Sequence, residues 1–133
     1  MAITGGCLCG KVRYSVEADP IATRICWCRD CQYFAAGGGT VNVVFQTEAV
    51  TIEGPLRVFE SVADSGNRMR RQFCENCGTP VVSGAESRPH LTILRAGTLD
   101  DPEVANPSMA IWTDSAPSWA CIDPDMVRTP GQP

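Results

Sequence analysis

Seven of the eight cysteines in this 133-residue chain fall in three tight clusters. Cys7-Leu-Cys9-Gly10 comes first, Cys26-Trp-Cys28-Arg-Asp-Cys31 second, and Cys74-Glu-Asn-Cys77-Gly78 third. Disulfide geometry needs particular Cα separations and dihedrals, and a Cys-x-Cys pair rarely closes on itself without strain. Three cysteines in six residues also leave an odd one in any pairing scheme. The N-terminus, Met-Ala-Ile-Thr-Gly-Gly-Cys, has neither the basic nor the apolar segment of an export signal, and no apolar run approaches the roughly 18 residues that span a membrane. A reducing, cytoplasmic setting is expected, where clustered cysteines hold metal rather than form disulfides.

The clusters are unequal. Zinc takes four tetrahedral ligands and suits thiolates. Cys7, Cys9, Cys74 and Cys77 make a complete four-sulfur set of the kind that is structural. Each of its two pairs ends in a glycine that can turn the backbone at positive φ. The central cluster, Cys26, Cys28 and Cys31, has no fourth cysteine nearby, and three protein ligands plus an open position is the pattern of a catalytic zinc. Cys28 and Cys31 stand i, i+3, so one helical turn puts both on one face. Three thiolates on one Zn²⁺ leave a net charge of −1, which suits holding a soft thiolate better than making hydroxide. Cys121 in Trp-Ala-Cys-Ile, or His90, the only histidine, is the alternative fourth ligand, and a central site that holds no metal in the isolated protein is a further alternative.

Around the clusters the chain reads as strands. In Lys11–Glu17, Val12, Tyr14 and Val16 alternate with polar residues, as in a half-buried strand. Further strands are expected at 21–25, 40–46, 50–53, 56–62, 68–73, 79–83, 90–96 and 108–113. A brief helix is expected over 29–36, stopped by Gly37-Gly38-Gly39. Asp64-Ser-Gly-Asn67 marks a hairpin turn between the strands at 56–62 and 68–73. From about residue 114, prolines and scarce apolar residues predict an irregular tail. The expected architecture is one mainly β domain over residues 1–133, of small antiparallel sheets stapled by metal.

A net charge of −4 argues against nucleic-acid phosphates as partners, which reward Lys and Arg. Arg68, Arg70 and Arg71, just before the third cluster, are candidates for gripping carboxylates. The competing reading is that they solvate the outer face of a strand. Trp27, Tyr33 and Phe34 are candidate walls of a pocket beside the central cluster, or simply core.

Together these residues resemble the glutathione-dependent formaldehyde-activating (Gfa-like, CENP-V/GFA) family. The likeness rests on Gly-x-Cys-x-Cys-Gly, then Cys-x-Cys-x-x-Cys, then Phe73-Cys-x-x-Cys-Gly-Thr-Pro80. It continues in Ala96-Gly-Thr-Leu-Asp-Asp-Pro102, Ala110-Ile-Trp112 and Ala116-Pro-Ser-Trp119. The resemblance implies an Mss4-like fold with a structural zinc at Cys7, Cys9, Cys74 and Cys77, and a catalytic zinc at Cys26, Cys28 and Cys31. It also implies a carbon–sulfur lyase that joins glutathione, or another small thiol, to formaldehyde. The sequence departs from the family at Trp27, where histidine is common; an indole has an N–H to donate but cannot shuttle a proton. The rival expectations are a non-enzymatic zinc-binding interaction module and a thiol- or redox-sensing zinc protein.

Overall fold

The computed structural model describes residues 2–133. Its elements run in chain order as β1 (Ile3–Gly6), β2 (Arg13–Val16), β3 (Ala22–Cys26), α1 (Arg29–Phe34), β4 (Thr40–Gln46), β5 (Val50–Glu53), β6 (Leu56–Val62), β7 (Arg68–Cys74), β8 (Pro80–Ala85), β9 (Leu91–Arg95), β10 (Met109–Ile111) and β11 (Val127–Arg128). They form a three-stranded sheet, β1-β2-β5, and an eight-stranded sheet, β11-β10-β3-β4-β9-β8-β7-β6. The fold is mainly β, as expected. Pairing is antiparallel except where β10 runs parallel to both β3 and β11. Among the described residues no helix is long and apolar enough to cross a membrane.

The alternation read at residues 11–17 sets how the sheets meet. Val12, Tyr14 and Val16 are buried, and they pack with Val43, Phe45, Val81 and Leu94 of the larger sheet into the main core. Tyr14 closes its polar end by a 2.8 Å hydrogen bond with Thr98. Among the described residues no strand of one sheet pairs with a strand of the other; an isolated bridge joins Gly5 of β1 to Leu99, in the segment after β9. Side-chain burial therefore holds the layers together.

Because strand side chains alternate, the residues between those core positions point to the other face of the larger sheet. Asn42 and Val44 of β4 and Leu91, Ile93 and Arg95 of β9 face away from the main core and line a cavity. Arg24, Asn42 and Arg95 sit side by side across three strands. One step along, Ala22, Val44, Ile93, Ser83 and Arg71 form a second row across five strands.

The tail departs from expectation. Val127–Arg128 pairs in parallel with β10, and Trp112 N–H donates to the Gly131 carbonyl at 3.2 Å. Two exposed residues carry no alternation to read; β10 recruits them as an edge partner.

Candidate metal centres and the arginine-lined cavity

Two groups of thiols converge. The sulfurs of Cys7, Cys9, Cys74 and Cys77 all lie within 4.8 Å of one another, as do those of Cys26, Cys28 and Cys31. All eight cysteines are free thiols. In the quartet, Cys7 and Cys9 sulfurs are 3.5 Å apart, and those of Cys9 and Cys74 are 3.7 Å apart. A disulfide needs about 2.05 Å. Four sulfurs at about 2.3 Å from a tetrahedral zinc stand about 3.8 Å apart, so the quartet has the spacing of a metal site. Its two loops are built alike. Gly10 N–H donates to the Cys7 carbonyl at 3.1 Å and Gly78 N–H to the Cys74 carbonyl at 2.9 Å. Both glycines have positive φ, 82° and 76°. Backbone N–H groups of Val12 and Asn76 reach the Cys7 and Cys74 sulfurs. The Thr79 hydroxyl, 3.2 Å from Cys77, is the first cause holding that thiol down at about 5.

The central trio sits where β3 ends and α1 begins. Cys26 is the last residue of β3, and Cys28 caps α1 by accepting the Cys31 N–H at 3.3 Å. Gln32 fixes this corner: its amide donates to the carbonyls of Trp27 at 2.8 Å and Ser115 at 3.0 Å. All three cysteines are buried, with Ile111 packed on them and Met109 and Trp112 alongside. Hydrogen bonds from Cys26 and Cys28, then the Thr40 hydroxyl and the charge of Arg95, hold Cys31 far below the ordinary thiol range. Hydrogen bonding with Cys28 and Cys31, and then burial, push Cys26 up. Thr40 Oγ1 is buried, with no hydrogen-bond partner of ordinary geometry.

The trio opens into a cavity of about 180 Å³. Cys26, Cys28 and Cys31 form one end, and Arg24, Arg71, Arg88 and Arg95 contribute to its walls. The ion pairs of the described residues engage Arg13, Arg68 and Arg70, so none of these four arginines has a carboxylate within salt-bridge distance. Arg95, 9% exposed, donates to Asn42 Oδ1. Arg71, 5% exposed, donates to Ser61 Oγ at 2.9 Å and lies 4.9 Å over the Phe34 ring. Its Nε is buried without a partner. Asp64 also lines the cavity, in the exposed β6–β7 turn.

Several expectations change here. Of the three arginines on β7, only Arg71 reaches the cavity. Arg68 and Arg70 face outward, paired with Glu86 and Glu60 at 3.4 Å each. Trp27, in the link between β3 and α1, does not line the cavity; it is buried against Gly39. The residue that departs from the family's usual histidine is therefore a packed side chain outside this cavity. Tyr33 is exposed beneath Arg29, and Phe34 backs Arg71 instead of walling the cavity. Cys121 and His90 are exposed and join neither thiol group, so the central site keeps three protein ligand candidates.

Arg95, Asn42, Arg24 and Thr40 were not singled out in the sequence. Their signal was parity. In Leu91-Thr-Ile-Leu-Arg95 the arginine shares a face with Leu91 and Ile93, and in Thr40–Gln46 the asparagine shares one with Val44.

Comparison with known proteins agrees with this geometry. The family model described as glutathione-dependent formaldehyde-activating enzyme matches residues 2–115. The chain belongs to this family. A comparison with curated proteins returns no match. Among solved structures, a Rhodobacter sphaeroides protein is similar in fold, with a TM-score of 0.61 over 95% of this chain and 98% of its own, at 15% identity. Residues 116–133 lie beyond the matched segment, yet Gln132 lines the cavity and accepts from the Trp112 indole at 3.0 Å.

Proposed function

We propose that the chain is a zinc-dependent carbon–sulfur lyase-type enzyme that joins a small anionic thiol, with glutathione the leading candidate, to an aldehyde. The observation that carries this reading is the buried thiol trio opening into a cavity walled by arginines that lack protein carboxylate partners. The quartet is the structural metal site on this reading and the trio is the catalytic one. Three converging sulfurs with an apolar backing suit a soft divalent ion. Zinc bound there would supply acidification and orientation of an incoming thiol.

The chain's own residues supply the rest. Arg24 and Arg88 can hold a thiol substrate's carboxylates, where the planar guanidinium fork gives bidentate grip. The trio's buried, apolar side excludes water from the sulfur. Addition forms one S–C bond, the carbonyl π bond opens, and the thiol proton ends on the new hydroxyl. Thr40 Oγ1, unpartnered beside Cys31, is positioned to hydrogen-bond in this corner. Free thiols throughout suit a reducing compartment, and a cytoplasmic location belongs to the same reading. A cavity at the trio favours an enzyme over an interaction module, which would present an exposed apolar patch instead.

The test is zinc content per chain with and without glutathione, together with exchange-NMR rates of S-hydroxymethylglutathione formation. Two zincs, one perturbed by the thiol, with exchange faster than the uncatalysed rate, are expected. Two zincs indifferent to thiols and no rate enhancement would overturn the reading.

A further inference from the structure

β10 breaks its own alternation where it ends. Successive side chains of a strand point to opposite faces, yet Ile111 and Trp112 both pack against the thiol trio and both line the cavity. The backbone makes this possible. Trp112 has φ 56° and ψ 37°, a left-handed conformation that is an outlier for a bulky side chain. Among the described residues Ala36, Asn106 and Trp112 are the non-glycines with positive φ, and of these only Trp112 lines the cavity. Strain of this kind persists where surrounding contacts over-determine it, and it concentrates at ligand clamps.

The contacts that hold Trp112 come from residues 129–132. Trp112 N–H donates to the Gly131 carbonyl at 3.2 Å, Thr113 N–H to the Thr129 carbonyl at 3.2 Å and Asp114 N–H to the Pro130 carbonyl at 3.4 Å. The indole N–H donates to Gln132 Oε1 at 3.0 Å. An indole N–H has no acceptor capacity, so it takes the amide oxygen and leaves the amide nitrogen as a donor. Gln132 makes no other hydrogen bond among the described residues. It is exposed and lines the same cavity. The order is thus thiol trio, aromatic side chain, neutral amide donor. The family match ends at residue 115, so the donor is supplied from beyond it.

That order describes a ligand. The guanidiniums elsewhere in the wall suit carboxylates, whereas a neutral N–H2 suits a neutral carbonyl oxygen. A thiol with its sulfur at the trio lays its next carbons against the indole. Gln132, one hydrogen bond beyond that ring, then meets the first carbonyl past them. In a cysteinyl peptide a carbonyl follows directly on the carbons next to the sulfur; 2-mercaptoethanol has none. We propose that Trp112 and Gln132 form a specificity-determining wall for a peptide-bonded thiol, the indole packing on its methylene and the Gln132 amide donating to its carbonyl. This rests on the thiol reading above and names the contacts by which the thiol is selected.

The experiment follows the indole N–H signals of the zinc-loaded full chain by NMR as glutathione, and separately 2-mercaptoethanol, is added. Trp27 and Trp119 are internal controls, since neither lines the cavity. Glutathione is expected to shift the Trp112 signal, identified by its loss in Trp112→Phe, and to leave the other two in place. Gln132→Ala is expected to weaken glutathione binding about 3- to 10-fold, the loss of one neutral hydrogen bond, with 2-mercaptoethanol binding unchanged. Trp112→Phe frees Gln132 from the indole and should weaken glutathione as well, measured by calorimetry. The double variant should bind no more weakly than Gln132→Ala, because the two residues act as one unit. Saturable glutathione binding that leaves the Trp112 signal unmoved overturns the wall and leaves the thiol reading standing. Equal weakening of both thiols in Gln132→Ala, or none of either, also overturns it. Absence of any glutathione binding overturns the wall and the thiol reading together. Gln132-dependent binding without turnover of any aldehyde keeps the wall and removes the enzymatic reading instead.

Discussion

At the scale of single residues, small side chains shape the loops that carry the thiol quartet. Gly10 and Gly78 follow the second cysteine of each quartet pair, and both adopt left-handed φ. A Cβ on either would touch nothing within 4 Å, so the cost of replacing them is conformational alone. Gly78→Ala is expected to lower stability by about 1–2 kcal/mol, the cost of a left-handed L-residue, seen as a fall in Tm of the zinc-loaded protein. Gly54 makes a control of a different kind. Its φ is 125°, and a Cβ there would run into the Lys11 carbonyl. Gly54→Ala should therefore cost more than Gly78→Ala. Equal losses would mean that strain at φ, not backbone contact, dominates both. The requirement at Gly10 and Gly78 was legible in the sequence because a knuckle needs that turn wherever it occurs. Trp27 was not legible in the same way. Its neighbours are both cavity cysteines, and only the folded chain shows that it packs against Gly39 instead.

At the scale of elements, β7 illustrates how period two sorts identical residues. Arg68 and Arg70 leave the outer face and form exposed pairs with Glu86 and Glu60. Met69 and Arg71 enter the cavity. Exposed pairs of this kind contribute about 0–1 kcal/mol, so Arg68→Ala and Arg70→Ala should each move Tm little. Arg71→Ala removes the hydrogen bond to Ser61 and the stacking on Phe34. It should cost about 1–3 kcal/mol, in line with losing a buried charged hydrogen bond. Denaturant titration of the three variants checks the ranking, and comparable effects at all three positions would contradict the assignment of faces. Most strand positions could be read in advance, because alternating apolar residues and Gly or Pro turns are local signals. The bounds of β4, β5 and β6 coincide with the expectation. The order β11-β10-β3-β4-β9-β8-β7-β6 could not be read, since β3, β4 and β9 become neighbours across long sequence separations. The cavity inherited that blindness. The thiols of the candidate site are adjacent in sequence and were found, whereas Arg24, Asn42, Arg71 and Arg95 come to line one cavity only once five strands are in register.

At the scale of the whole molecule, the two thiol groups do different mechanical work. The quartet links the loop after β1, in the small sheet, to the β7–β8 turn of the large one. Otherwise the small sheet meets the rest of the fold through side chains of one core and through contacts of β1 and β2 with the segment after β9, among them the Gly5–Leu99 bridge, the Tyr14–Thr98 hydrogen bond and the Arg13–Asp100 pair. The trio lies within one corner of the large sheet, where β3, α1 and β10 already hold one another by backbone hydrogen bonds and by Gln32. A structural zinc contributes about 10–16 kcal/mol of apparent binding energy, while a domain's net stability is about 5–15 kcal/mol. On the reading that zinc fills both groups, the metal at the quartet accounts for the margin by which the sheets stay together, and the metal at the trio does not. Titration with a chelator should thus proceed in two steps. The first equivalent of zinc should leave the three-sulfur site with far-ultraviolet circular dichroism nearly unchanged and ligand binding lost. The second should leave the quartet together with cooperative loss of β structure. Release of both equivalents with the β signal intact would show that burial of Val12, Tyr14 and Val16 against Phe45 and Leu94 suffices to join the sheets. Unfolding with the first equivalent would instead place the structural burden on the trio, and its role as an open reaction site would fall with it.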